Sequence, residues 1–413
     1  MSTTASLLSV RQALDMVLAT AKEPLGEELV PLSAGFGRTL TRDVLARRTQ
    51  PPFDVSAMDG FAVRAADTTD PGAQLALIGQ SAAGARFSGD LKSGQAVRIF
   101  TGAPVPAGAD AILIQENARF DAASVTVLEP TIAGRHVRRA GLDFAEGEVG
   151  LTAGTRLNPT ELALAAAMNH PELPVARKPI VAILATGDEL VAPGRDPGPD
   201  QIVASNSFAV AALVKAAGGT PLDLGIVADD LGLLVAAIQS ARAAGADVLV
   251  TLGGASVGDH DLVQKALVTA GLQLAFWKIA MRPGKPMMHG MLGDMRVLGL
   301  PGNPVSSIVG GILFLRPLVR ALCGDPHPDF DPTEPAELAD DLSANDARED
   351  YLRGTLRFPA DGGLPLATAN RAQDSSMLRV LAGAGCLIVR RPLAAAAKAG
   401  DLCRIVRLDR FPF

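Results

Sequence analysis

The chain reads as a multidomain α/β plus β protein, and three observations predict it. Between residues 179 and 325, apolar strands alternate with apolar helices, the sign of a central, mostly parallel sheet covered on both faces. On either side, at 28–140 and 326–413, short apolar runs are broken by Gly and Pro, the pattern of β-rich domains. At 413 residues and 48% hydrophobic, the chain exceeds one ordinary domain and can bury more than one core.

Taken in order, Val10, Ala13, Leu14, Val17 and Leu18 recur at helical spacing, with Ser6 or Ser9 available as cap and Pro24 as stop. A β-rich stretch with strands near 96–100 and 111–115 follows. A second helix is expected from Asn158, because Pro159 takes the first helical position and Glu161 stands three residues after the Asn cap. These helical pieces, 1–27 and 141–178, are expected to form one discontinuous helical domain. Beyond 179 come strands at 180–184, 222–227, 248–252, 274–279 and 297–300, and helices at 207–217, 231–244, 262–270 and 305–323. The run DPHPDFDPTEP after Gly324 marks a boundary, and strands near 352–358, 386–390 and 402–408 predict an all-β tail. No internal repeat is present.

With 38 basic against 44 acidic residues, the net charge of -6 argues against a protein that coats nucleic acid. Three widely spaced cysteines, Cys323, Cys386 and Cys403, suit a reduced cytosol and offer neither a disulfide framework nor zinc spacing. The first residues lack a cationic leader before an apolar core, and no apolar run reaches the length of a membrane span. The expectation is a cytoplasmic protein with no nucleic-acid or membrane partner.

Three loops carry polar cargo from the carboxyl ends of predicted α/β strands. They are TGDE (Thr186, Gly187, Asp188, Glu189), GGASVGDHD from Gly253 to Asp261, and PGNP (Pro301, Gly302, Asn303, Pro304). Parallel strands bring such loops to one crevice, where small residues let backbone approach a ligand. Asp188, Glu189, Asp229, Asp259 and Asp261 offer oxygens to a hard cation such as Mg²⁺, against the plainer reading of each as a helix cap. The complementary charge lies in MRPGKP, preceded by Lys278: Arg282 and Lys285, stiffened by Pro283 and Gly284, suit an anion clamp or, more plainly, an exposed basic turn. Arg138 and Arg139 form a second basic pair. In PPFDVSAMDGFA, Met58 and Phe61 read as core and Asp59–Gly60 as a tight turn. Gly254 to Gly258 also match GxSxG, so a serine hydrolase using Ser256, with His289 and Asp294 downstream, is the alternative chemistry.

Together these stretches resemble the molybdopterin molybdenumtransferase family, the MoeA type also found as the E domain of gephyrin. PPFDVSAMDGFA, TGAPVP, HVRRAGLD, TGDEL, LGIVADD, GGASVGDHD, FWKIAMRPGKP and GLPGNPVSS stand in the family's order, and the likeness runs from Val10 to Leu408. The chain departs at Val55, where the family has Asn, at Phe61, where it has Tyr, and at Ala228, where a basic residue is common.

The resemblance implies the last, ATP-independent step of molybdenum cofactor assembly. Adenylylated molybdopterin and molybdate enter, molybdenum is placed on the dithiolene, and AMP leaves. It implies catalytic roles for Asp59, Thr101, Arg138, Asp143, Glu189, Asp229, Asp261, Lys278 and Arg282, with Mg²⁺ on Glu189, Asp229 and Asp261. Ligand binding would fall to the three loops, Ser256 and Gly258 among them, to Pro283, Gly284 and Lys285, and to Arg353 and Ser376 in the tail. The implied architecture is a homodimer with a shared site, whose protomer has the helical domain, a β-rich domain at 28–140, a molybdopterin-binding α/β domain at 179–325 and a C-terminal β-barrel at 326–413. Contact with the molybdopterin adenylyltransferase is implied too. A non-catalytic molybdopterin-binding scaffold is the remaining alternative.

Overall fold

The computed structural model describes residues 7–254, 262–329 and 331–409. The chain forms two compact units, the first made of Met1–Glu28, Gly37–Thr41 and Pro174–Phe413, the second of Leu29–Phe36 and Arg42–Leu173. Helix α1 (Val10–Leu18) begins the first unit. Its cap is Ser9, whose hydroxyl accepts the Gln12 N–H at 3.2 Å while the Gln12 side chain accepts the Ser9 N–H at 3.0 Å. Val10, Ala13 and Val17 bury into the same core as Val181, Leu298 and Leu318.

The second unit centres on a six-stranded sheet. In chain order, β1 (Val55–Ser56) lies outside it and β2 (Gly60–Val63), β3 (Gln74–Ser81), β4 (Gln95–Ile99), β5 (Ala111–Ile114), β6 (Ala118–Phe120) and β7 (Ser124–Val127) build it, in the order β5-β2-β4-β3-β7-β6. Strand β8 (Val137–Arg138) pairs antiparallel with β1, placing Arg138 opposite Val55. The sequence reading of Asp59–Gly60 as a tight turn is corrected here. Gly60 opens β2, and a Cβ on it would stand 2.1 Å from the Leu113 carbonyl, so the glycine serves close strand approach. Met58 is 41% exposed rather than core, whereas Phe61 is fully buried. Helix α2 (Pro159–Ala167) closes this unit, its Asn158 N–H bonded to Glu161 Oε2 at 2.9 Å. Helix α1 lies in the first unit and α2 in the second; 3.6-residue spacing specifies that a helix has an apolar face and not what that face meets.

The first unit resumes with the α/β body: β9 (Ile180–Thr186), α3 (Asn206–Ala217), β10 (Thr220–Val227), α4 (Leu231–Ala243), β11 (Val248–Leu252), α5 (Leu262–Thr269), β12 (Gln273–Trp277), the short β13 (Met281–Arg282), β14 (Met288–Leu292), β15 (Met295–Leu300) and α6 (Pro304–Leu322). Sheet order is β10-β9-β11-β15-β14-β12, parallel from β10 through β15 and antiparallel beyond. The sequence reading omitted β14, whose MHGML places a polar residue and a glycine inside the strand. Gly290 is needed there, since a Cβ would lie 2.5 Å from the Gln273 carbonyl.

Asp247 sets the register of the central strands. Its backbone N–H donates to the Ile180 carbonyl at 2.8 Å and its carbonyl accepts the Arg296 N–H at 3.0 Å. Its carboxylate accepts the Ile180 N–H at 2.8 Å and both terminal nitrogens of Arg177, at 2.7 and 3.0 Å. Helix α6 is 19 residues long and apolar enough to cross a membrane, but 72% of its most apolar 18-residue stretch is buried inside the protein, with a π-turn at Gly311–Leu315 just ahead of Pro317. The tail strands β16 (Thr333–Leu338), β17 (Glu349–Arg357), β18 (Leu366–Ala369), β19 (Cys386–Arg390) and β20 (Leu402–Arg407) close a five-stranded ring, β17-β18-β16-β20-β19 and back to β17, as expected of a barrel. Strand β13 extends it by pairing parallel with β17.

His289, on β14, is fully buried, donates through Nδ1 to the Val297 carbonyl at 3.0 Å, and leaves Nε2 without a protein partner. Burial holds its imidazole down to about 4, against 6.5 ordinarily. The unfolded chain therefore binds this proton first, and stability falls as pH drops from 6.5 towards 4. The loss should approach about 3 kcal/mol. Urea denaturation between pH 7 and 4 is expected to show this slope in the natural chain and a flatter one in His289→Gln.

Candidate functional site

The register carries the carboxyl ends of four parallel strands to one edge: Thr186 stands opposite Val227, Ala185 opposite Leu252, and Leu252 opposite Leu300. The loops leaving these ends touch. The Thr186 hydroxyl donates to Asp229 Oδ1 at 2.6 Å, and the Asp229 N–H donates to Asp188 Oδ1 at 3.0 Å, which joins TGDE to the loop after β10. Asp230, not Asp229, caps α4, accepting the Leu233 N–H at 2.9 Å. Gly187 has a φ of +143°, and a Cβ there would meet the Glu189 carboxylate at 2.3 Å, so Glu189 folds back over the glycine. Gly253, at φ +99°, lies where a Cβ would be 3.1 Å from the Thr186 carbonyl, and the Cβ position of Gly302 is 3.7 Å from Gly253 Cα. TGDE, Gly253–Gly254 and PGNP thus line one edge, as expected. Ser256, Gly258, Asp259 and Asp261 lie outside the described residues.

PGNP is fixed from two sides. Asn206 Nδ2 donates to the Gly302 carbonyl at 2.7 Å, and Asn303 Nδ2 donates to Ser375 Oγ at 2.8 Å. The Val305 N–H, at the start of α6, donates to the Ser375 carbonyl at 3.1 Å, bringing a barrel loop to the strand edge. In that loop Asp374 Oδ1 accepts the hydroxyl and N–H of Ser376, at 2.6 and 2.8 Å, and the Asp374 carbonyl accepts Arg353 Nη2 at 3.0 Å. Arg353 is 1% exposed, and burial pushes its guanidinium down from the ordinary arginine value. The basic turn adjoins the same region, because the Cβ position of Gly284 is 3.7 Å from the Ser306 carbonyl, one turn into α6. Pro283 is buried and Lys285 exposed.

Arg282, expected in an anion clamp or an exposed basic turn, is half-exposed and paired with carboxylates. Its Nε donates to Asp350 Oδ1 at 2.7 Å, Nη2 bonds the other oxygen of Asp350, and Nη1 lies 3.6 Å from Asp346. The Asp350 bond, ahead of the other influences, raises its pKa. Lys278 sits at φ +92°, with its N–H on the Met287 carbonyl at 2.9 Å and Nζ 5.5 Å from the Trp277 ring centroid. Among the described residues no group of three His, Cys, Asp or Glu is arranged to hold a metal, and the third expected ligand, Asp261, is not one of them. The donors present are hard oxygens, which suit Mg²⁺; Oδ1 of Asp188 and Oδ1 of Asp229 each accept a hydrogen bond between the two loops.

The second unit brings together the other expected residues. Asp59 Oδ1 accepts the N–H and hydroxyl of Thr101, at 2.7 and 2.8 Å. The Thr101 N–H, then its hydroxyl, hold this exposed carboxyl below the usual range, with Arg98 adding a smaller pull. A cleft of about 660 Å³ nearby is lined by Arg48, Val55, Gly102, Arg138 and Asp143 among others. The basic pair divides: Arg139 Nη1 is bound to Asp54 at 2.6 Å, while Arg138 faces this cleft. Sequence reasoning missed Asn206, Ser375, Asp350 and Arg98. Their partners lie 96, 72, 68 and 17 residues away, and no local pattern signals such pairings. The hydrolase alternative loses its base, since His289 is sealed inside the sheet.

Carboxylates and glycines at the carboxyl edge of a parallel sheet, with lysines on an adjoining turn, define an α/β protein whose candidate site lies at the strand ends. Comparison with known proteins is more specific. Family models described as the MoeA N-terminal region (domain I and II), a probable molybdopterin binding domain, and the MoeA C-terminal region (domain IV) match residues 8–169, 182–321 and 335–408. The molybdopterin molybdenumtransferase of Haemophilus influenzae is 33% identical over 97% of this chain and 98% of its own length. That of Nostoc is 37% identical over 88% of this chain and 84% of its own. A crystal structure of a molybdopterin biosynthesis MoeA protein from Pyrococcus horikoshii superposes with a TM-score of 0.83 at 29% identity, covering 97% of this chain and 99% of that one. The chain belongs to the molybdopterin molybdenumtransferase family.

The Thr186–Asp229 bond should be measurable. A double-mutant cycle of Thr186→Val and Asp229→Asn, followed by denaturant unfolding, is expected to return a coupling of about 1 kcal/mol. Strict additivity would mean the bond is not made.

Proposed function

We propose that this chain carries out the last step of molybdenum cofactor assembly, placing molybdenum from molybdate on the dithiolene of adenylylated molybdopterin and releasing AMP. The observation that carries the reading is the meeting of TGDE, Asp229, Gly253–Gly254 and PGNP at one strand edge, with the RPGKP turn beside α6.

In this reading the glycines of the strand-edge loops admit the pterin and its phosphates close to backbone N–H groups. Lys278 and Lys285 neutralise the dianionic molybdate and the pyrophosphate, while Asp350 holds Arg282 in a single orientation beside them. Glu189 and Asp229, with Asp261, would hold Mg²⁺, which when bound polarises the scissile phosphate. Thr186 orients Asp229 through its hydroxyl, and Thr101 keeps Asp59 ionised. Asp59, Thr101, Arg138 and Asp143 act from the second unit. A cytoplasmic homodimer in which that unit faces the partner's α/β body supplies both halves of the site, and the molybdopterin adenylyltransferase delivers the substrate.

AMP release from adenylylated molybdopterin should require both molybdate and a divalent cation. Asp59→Asn and Asp261→Asn should each slow it by about 100-fold or more with circular dichroism unchanged. Tight binding without turnover under any metal condition would instead identify a scaffold. Tungstate is run alongside molybdate, since the two anions share charge and size.

A further inference from the structure

The Asp59–Thr101 pair is built on Arg98. In the second unit Arg98, on β4, stands opposite Phe61 on β2. Its guanidinium carbon lies 4.9 Å from the Phe61 ring centroid, 5.3 Å from Phe100 and 5.1 Å from Phe120. Phe61 and Phe120 meet edge on, with centroids 5.0 Å apart. Rings attract a guanidinium across their faces, while its N–H donors point outward in its own plane. Nη2 donates to Gln115 Oε1 at 2.8 Å, and the Gln115 backbone N–H donates to the Asp59 carbonyl at 3.2 Å. Nη1 is buried without a protein acceptor, an arrangement that costs stability and that the fold nevertheless keeps. Thr101 lies three residues along from Arg98, just past the end of β4. Arg98 pulls on the Asp59 carboxyl from behind, and Gln115 Nε2 also donates to Glu116 Oε1 at 3.4 Å.

We propose that Arg98 is the positioning residue for Asp59. The three rings fix the guanidinium, the guanidinium fixes Gln115 and the adjoining ends of β2 and β4, and Asp59 and Thr101 are held in one geometry with a permanent positive charge behind them. This rests on reading Asp59 as part of the transferase site.

The test compares Arg98→Met, which removes charge and donors, with Arg98→Lys, which restores the charge. Arg98→Met is expected to lower kcat for AMP release by about tenfold or more while KM changes less than about twofold. It should also move the Asp59 carboxyl titration, followed by carbon-13 NMR, upward. Arg98→Lys should recover part of kcat and the low titration. Phe120→Leu, which removes a half-exposed ring and no charge, should give an intermediate loss and serves if Arg98→Met does not fold. Natural kcat with an unmoved Asp59 titration in Arg98→Met, or natural kcat in Phe120→Leu, overturns the proposal. Failure of the transferase reading looks different: the natural chain then releases no AMP, or Asp59→Asn leaves that release intact, while the NMR response to Arg98→Met still decides whether Arg98 positions Asp59.

Discussion

The constraint on which the α/β body depends is the parallel register of β9, β11 and β15, set at one end by Asp247. Parallel strands slipped by one residue turn every side chain to the opposite face. Asp247 opposes that slip by engaging Ile180 with backbone and side chain, Arg177 with both carboxylate oxygens, and Arg296 through its carbonyl. With the amino ends fixed, Thr186, Leu252 and Leu300 finish level at the far edge. The glycines and carboxylates that follow them have no other place to go.

Close approach at that edge is bought by small residues. Gly187 makes room for the Glu189 carboxylate, and Gly253 and Gly302 let neighbouring loops come nearly into backbone contact. The same economy recurs at Gly60 and Gly290, where a methyl group would collide with a carbonyl of the adjacent strand. The cations are organised differently. Arg282 and Arg139 are held by Asp350 and Asp54, so their charge is oriented and partly neutralised, although both are exposed, as Lys285 and Arg138 are. A basic motif in sequence thus contains arginines that are already bound to a carboxylate.

Local chemistry was legible where it is written within one turn or one strand. The Ser9 and Asn158 caps, the strand and helix alternation after 179, and the separate β tail follow from spacing and from residues three or four apart. Strand β14 was hidden by its own His289 and Gly290, which read as loop residues although the sheet buries the first and requires the second. Asp59–Gly60 read as a turn for a similar reason: the pair has turn composition, and only the neighbouring Leu113 carbonyl shows why glycine is there.

The sequence by itself determined which elements form, that strand-end loops carry glycine and carboxylate, and which family the ordered motifs resemble, because periodicity and motif order are properties of the chain alone. Tertiary structure decided which core α1 joins, which arginines are already paired, that His289 is sealed away, and that Arg98 sits among three rings beneath Asp59. Those outcomes depend on contacts between residues tens to hundreds apart, whose strength is set by burial and direction that no local pattern encodes.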